Sequence, residues 1–132
     1  MILQLVGLPC SGKSTLIKNA IKNNIPIKHF DIINADSDNN YSNFLSLVET
    51  AATKELCVLE SALGFSQLKS IVLLYKPKDN IRLKNIIKRS EFFTASQDEQ
   101  LYSQIIPAHF TIYTQKNFNK ILNIFLKENY YE

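Results

Sequence analysis

The sequence predicts a three-layer α/β domain in which a parallel sheet carries helices on both faces. Five apolar runs are mostly continuous rather than alternating, as strands are when both faces of a sheet are covered. Segments of helical spacing separate them, and such alternation implies right-handed crossovers into a parallel sheet. The chain has three glycines and spends two of them in one turn, between the first apolar run and the first helical segment.

In order, the strands are expected at 2–6, 29–33, 56–60, 70–75 and 110–114. The helix at 13–23 carries Leu16, Ile17, Ala20 and Ile21 on one face, and that at 43–53 carries Phe44, Leu45, Leu47, Val48 and Ala51. Leu83, Ile86 and Ile87 mark a helix at 81–89. A shorter one is expected at 98–106, and Ile121, Leu122, Ile124, Phe125 and Leu126 mark the last at 117–127. In such sheets ligands bind beyond the carboxyl ends of the strands, so the residue after each strand matters most.

The 132 residues fit one domain, 1–132, with no repeat or Pro/Gly/Ser linker to divide it. No run approaches the roughly 20 apolar residues of a membrane span, and Gln4 interrupts the apolar start, so a cytoplasmic protein without membrane contact is expected. The net charge of +3 suits a polyanionic ligand such as ATP but falls short of the basic excess of a nucleic-acid binder. Cys57, inside an apolar run, reads as a core residue. Neither cysteine spacing resembles a zinc site or a disulfide framework.

Residues 7–14 read Gly7, Leu8, Pro9, Cys10, Ser11, Gly12, Lys13, Ser14, and Thr15 follows. This matches G-x-x-x-x-G-K-[ST] in its required place, after a strand and opening a helix. Glycines there let backbone N–H groups and a helix N-terminus wrap a phosphate. Lys13 would reach the β- and γ-phosphates, and the Ser14 hydroxyl would take a Mg²⁺ position.

With this motif, residues 2–16 resemble the small P-loop kinases, which include polynucleotide, nucleoside, nucleotide and small-metabolite kinases. The resemblance implies five parallel strands ordered 2-3-1-4-5, Mg²⁺-dependent γ-phosphoryl transfer from ATP and a basic lid. It also makes Asp36, after the second strand, a candidate to receive the acceptor's proton. The alternative for Asp36 and Asp38 is a helix cap. Relatives often place an arginine shortly after that acid, and here the first arginine is Arg82. Glu60, ending the third strand, occupies the Walker-B position and would hold Mg²⁺ or orient substrate. Arg82 and Arg89, seven apart on one helical face, would close over the transferring phosphoryl group.

Thr114, Gln115 and Lys116 follow the last strand, where the family often contacts the base. A capped turn explains them equally well. His29 and His109 are expected to begin strands at the end away from the site, in structural or exposed roles. Phe92, Phe93, Tyr130 and Tyr131 are expected to pack in the core or dock the tail, since basic residues beside them are too few for nucleic acid.

The expectation is therefore a Mg·ATP-dependent kinase with catalytic Lys13, Asp36, Arg82 and Arg89, and with metal ligands Ser14 and Glu60. Its acceptor would be a nucleoside, nucleotide, polynucleotide end or small metabolite. The short chain and the missing arginine also suit a nucleotide-binding regulatory module. A small NTPase is the third reading, with Gln67 as the candidate to orient water.

Overall fold

The computed structural model describes residues 1–32 and 41–130, the last two by backbone alone. The elements are β1 (Ile2–Val6), α1 (Lys13–Lys22), β2 (Ile27–Asp31), α2 (Ser42–Ala51), β3 (Leu56–Glu60), β4 (Ile71–Tyr75), α3 (Asp79–Arg89), α4 (Ala95–Gln104), β5 (Phe110–Ile112) and α5 (Gln115–Tyr130). All pairings are parallel and the order is β2-β3-β1-β4-β5. This is the expected α/β architecture with the expected strand order.

Two apolar layers flank the sheet. On one face, Leu3 and Leu5 of β1, Leu56 and Val58 of β3 and Leu73 of β4 pack against Leu16, Ile17 and Ala20 of α1 and Phe118, Leu122 and Leu126 of α5. On the other, Ile2, Cys57 and Leu59 meet Leu45 and Val48 of α2 and Leu68 of the β3–β4 connection. Cys57 is a fully buried core residue, as expected. No helix among the described residues is long and apolar enough to cross a membrane.

The β3–β4 connection is a coil over residues 61–70, where a parallel crossover usually needs a helix. A coil lying on a sheet must satisfy its own backbone. The buried Gln4 side chain does this: its Nε2 donates to Phe65 O at 2.8 Å, and its Oε1 accepts from Phe65 N at 2.7 Å. Nε2 also reaches Ser70 Oγ at 2.8 Å. The polar interruption of the first strand is thus a clamp for the crossover.

Most element ends lie within three residues of expectation, and three of the differences have a visible cause or setting. β2 runs Ile27–Asp31, two residues earlier than read, because Ile27 pairs with Leu56 and the ladder ends at Asp31–Glu60. As an edge strand it tolerates the exposed Lys28. β5 is only three residues, also at an edge. α4 begins at Ala95, because Thr94 caps it: Thr94 Oγ1 accepts from Gln97 N while Gln97 Oε1 accepts from Thr94 N.

Candidate functional site

The turn after β1 has the shape that a bound phosphate chain requires. A Cβ at Gly7 would lie 2.9 Å from Tyr75 O, so only glycine fits there. Gly12 caps α1 with φ 96°, in the left-handed region that favours glycine. Cys10 adopts φ 63°, a left-handed conformation that L side chains rarely take. Ser11 Oγ is buried with no hydrogen-bond partner among the described residues. A buried orphan hydroxyl inside such a loop is what an anionic ligand would satisfy.

Lys13 is buried, and its Nζ donates to Gly7 O at 2.8 Å and Leu8 O at 3.1 Å. Burial lowers its pKa from 10.5 to about 8, while the nearby carboxylates of Glu60 and Asp31 pull it back up. A triphosphate offers the ammonium a better partner than two neutral carbonyls.

Two regions flank this loop. On the β4–β5 side lies a cleft of about 380 Å³, lined by Gly12, Thr15, Tyr75, Asn85, Thr114 and Gln115 among others. Gln115 is fixed there, its Nε2 donating to Leu16 O at 2.9 Å. Thr114 and Gln115 therefore border the cleft that opens from the loop, the place expected for base contact.

On the β2–β3 side stands an acid cluster. Residues of one strand alternate between faces, so Glu60 shares the α1 side of the sheet with Leu56 and Val58. His29 and Asp31, in register with Val58 and Glu60, share that side. His29 Nε2 lies 2.9 Å from Glu60 Oε1. One ligand atom from each of His29, Asp31 and Glu60 falls within 4.8 Å of the others.

His29 is thus neither at the start of its strand nor away from the site; the two-residue shift of β2 brings it and Asp31 to the loop. Sequence reading overlooked Asp31 for the same reason, because the apolar pair Ile32-Ile33 pulled the assigned strand end too far along. The available signal was register: an edge strand paired with β3 ends level with Glu60. His109 has the expected structural role, its Nδ1 accepting from Val72 N at 2.9 Å. Asp36 and Asp38 lie outside the described residues.

α3 lies against the loop. Arg82 Nε donates to Pro9 O at 3.0 Å, and its guanidinium forms a two-pronged pair with Asp98 of α4, at 2.5 and 3.0 Å. Phe93 lies under the same guanidinium, 5.4 Å from ring centre to Cζ. Asn85 Nδ2 donates to Cys10 O at 3.0 Å. Arg89 NH1 is 3.9 Å from Cys10 Sγ, which itself donates to Glu91 Oε2 at 3.2 Å. Burial, with the Glu91 carboxylate, raises the Cys10 pKa, so the thiol stays protonated. Phe92 is 87 % exposed rather than packed in the core. The side chain of Tyr130, and Tyr131, lie outside the described residues. Gln67 is exposed and borders a different hollow, beside Leu45 and Glu49 of α2.

The arrangement suits Mg·ATP. Ser14 is half-buried at the start of α1, and Glu60 and Asp31 supply the hard oxygen donors that Mg²⁺ prefers.

No protein-family model and no curated protein matches this sequence. Solved structures do match its fold. A gluconokinase from Sinorhizobium meliloti superposes with a TM-score of 0.58 at 10 % identity, covering 98 % of this chain and 94 % of that one. A shikimate kinase from Acinetobacter baumannii, in complex with shikimate, gives 0.54 at 14 % identity over 98 % and 94 %. A putative kinase from Chloroflexus aurantiacus gives 0.57 at 13 % identity over 96 % of each chain. The chain has the fold of these small P-loop kinases.

Proposed function

We propose that this protein is a Mg·ATP-dependent kinase that phosphorylates a hydroxyl group of a small metabolite. One observation carries the reading: Lys13 and its loop stand between a cleft sized for a nucleoside and a cluster of acids. The first side suits a donor nucleotide and the second an acceptor. Two structural neighbours are named for small-metabolite substrates, shikimate and gluconate, which supports an acceptor of that size.

In this reading the loop amides and Lys13 hold the β- and γ-phosphates, and Arg89 approaches the transferring group. Ser14 and Glu60 would hold Mg²⁺, which would neutralise charge on the phosphate oxygens. The acceptor oxygen attacks the γ-phosphorus, the bond from phosphorus to the β–γ bridging oxygen breaks, and ADP leaves. The hydroxyl proton passes to a carboxylate after β2. Asp31, which ends β2 beside Glu60 and near Lys13, is one candidate, and Asp36 is the other. Arg82, already paired with Asp98, keeps the loop in shape through Pro9.

The test incubates the protein, and a Lys13→Ala variant, with Mg²⁺, γ-labelled ATP and pooled acceptors. The pools are sugars and polyols, nucleosides, nucleoside monophosphates and 5′-hydroxyl oligonucleotides. Label passing to the small-metabolite pool, and lost with Lys13→Ala, is the expected outcome. Free phosphate alone would make the protein an NTPase. Bound ATP without turnover would make it a regulatory module.

A further inference from the structure

The outer surface of the α1–α5 layer carries charge of one sign. Both helices follow strands of a parallel sheet and so run the same way, and Gln115 Nε2 on Leu16 O sets the start of α5 level with the first turn of α1. Leu16, Ile17 and Ala20 of α1 face the sheet, as do Phe118, Leu122 and Leu126 of α5. The opposite sides of the two helices therefore point together into solvent.

On that side α1 exposes Lys18 and Lys22, one turn apart, and α5 exposes Lys116, Lys120 and Lys127. Each stripe includes one exposed isoleucine at helical spacing: Ile21 in α1, 45 % exposed, and Ile124 in α5, 49 % exposed. α1 contains no acid, and α5 contains none before Glu128. The acids that border the layer stand at its ends. Asp31 and Glu60 are beside Lys13 at one, and Glu55, which precedes β3, and Glu128 are at the other. None of the five lysines forms a salt bridge among the described residues.

Solvated helix faces ordinarily mix both signs, as α3 and its exit do with Asp79, Lys84, Lys88 and Glu91. α2, across the sheet, has Glu49 as its one charged residue. The molecule is thus polarised through its sheet, basic on the α1–α5 side. Lysine is a compact point charge that needs no fixed geometry, and a surface of anionic lipid headgroups imposes none. Nucleic acid draws on arginine and on stacked aromatic rings, and residues 13–22 and 115–128 expose neither. An isoleucine among lysines gains nothing from phosphates alone, but it is stabilised at the headgroup boundary, where apolar side chains are buried.

We propose that the α1–α5 face docks on an anionic membrane surface, with its lysines on the lipid phosphates and with Ile21 and Ile124 entering the headgroup layer. Two shallow anchors make this contact peripheral and reversible. Lack of a spanning segment, which led to the expectation of no membrane contact, does not bear on such docking. The docking is independent of the kinase reading.

The experiment sediments the protein with vesicles of phosphatidylcholine alone, or of phosphatidylcholine and phosphatidylglycerol in equal parts. Binding is expected to the mixed vesicles alone, weakening as salt rises. Lys18→Glu with Lys120→Glu should weaken it at least about tenfold, since each lysine near such a surface contributes roughly fivefold. Lys84→Glu with Lys88→Glu, on α3, matches that variant in net charge and should alter binding less than about twofold, because the attraction fades within a Debye length. Ile21→Ser with Ile124→Ser should weaken binding about tenfold. Each variant is checked for cooperative unfolding, and Lys18→Gln with Lys120→Gln replaces the charge reversal if that variant does not fold.

No binding to the mixed vesicles, or equal binding to both kinds, overturns the proposal. So does an α3 pair that matters as much as the α1–α5 pair, since the attraction would then follow net charge and not a face. Binding that ignores the isoleucine pair overturns it too. Tighter binding of a duplex oligonucleotide than of the mixed vesicles would mark the face as a nucleic-acid surface instead.

Discussion

The α1–α5 layer and the α3–α4 arm both border the phosphate loop, yet they are held by different forces. α1 buries Lys13, Leu16, Ile17 and Ala20, and it packs with α5 in one continuous core that includes Phe118 and Leu122. Neither α3 nor α4 buries a single residue. The arm is tied down chiefly by polar contacts: Arg82 on Pro9 and Asp98, Asn85 on Cys10, and Arg89 with Glu91 around the Cys10 thiol. Apolar packing fixes one geometry, whereas polar contacts can be exchanged for those of a ligand. Segments with few buried contacts also open at the lowest free energy. The cradle is thus built to stay and the arm to yield.

The largest expected effect is on the cradle. Phe118 is fully buried between α5 and the sheet. Phe118→Ala should cost about 3–5 kcal/mol, the usual toll of an aromatic-to-alanine cavity. Chemical denaturation would read it as a lower midpoint, with the transition still cooperative. A cost near zero would mean that α5 is not part of the folding unit.

In the proposed kinase Lys13 is the charge on the phosphates, and the effect of replacing it comes next. Lys13→Met should lower kcat by roughly 10²–10³, as loss of one preorganised charge stabiliser does. The pH dependence has a definite sign. The folded pKa, about 8, lies below the usual 10.5, so between those values the unfolded chain holds the extra proton. Stability of the nucleotide-free protein from this group therefore rises with pH across that window. Nucleotide affinity should move the opposite way, falling above pH 8 as the ammonium is lost. Isothermal titration from pH 6.5 to 9.5 on wild type and Lys13→Met would show the slope in wild type alone.

What could be read from sequence follows the same division. The continuous apolar runs and the 3.6-residue stripes of α1 and α5 are direct traces of burial, and they located the strands and the cradle. The phosphate loop was legible because its backbone shape demands glycine at fixed spacing, as Gly7 and Gly12 demonstrate. The acid cluster was only half legible. Glu60 terminates a fully apolar strand, while Asp31 terminates an edge strand whose mixed composition blurs its end. Register with β3 settles that end, and register is a long-range property. The arm's ties are also long-range: Arg82 and Asp98 are sixteen residues apart, and no local pattern links them. The role of Gln4 as a backbone clamp was illegible for the same reason.

A smaller effect is expected where the arm is pinned. The Arg82–Asp98 pair is partly shielded, with side chains 14 % and 22 % exposed. A double-mutant cycle through Arg82→Ala and Asp98→Ala should give a coupling of about 1 kcal/mol, at the upper end for exposed pairs. Arg89 is exposed beside the loop with a weaker tie. Arg89→Ala should therefore leave stability within about 0.5 kcal/mol of wild type, yet, in the proposed kinase, lower kcat more than it raises KM. If Arg82→Ala instead damaged kcat while leaving stability intact, the two arginines would have exchanged roles.

The smallest effect is expected on the outer face of the arm, and it sharpens the contrast most directly. Leu83 and Ile87, one helical turn apart, are 56 % and 65 % exposed. By sequence they belong to the same kind of stripe as Leu16 and Ile17, and the pattern alone would assign them equal burial. Because the structure leaves them in solvent, Leu83→Gln with Ile87→Gln should change stability by no more than about 0.5 kcal/mol, the range of ordinary surface substitutions. Replacing the buried Leu16 by alanine should cost about 2–5 kcal/mol. Both comparisons are read from the same denaturation curves. A loss of several kcal/mol at Leu83 and Ile87 would mean that this face is covered in solution, and that the arm is held by packing after all.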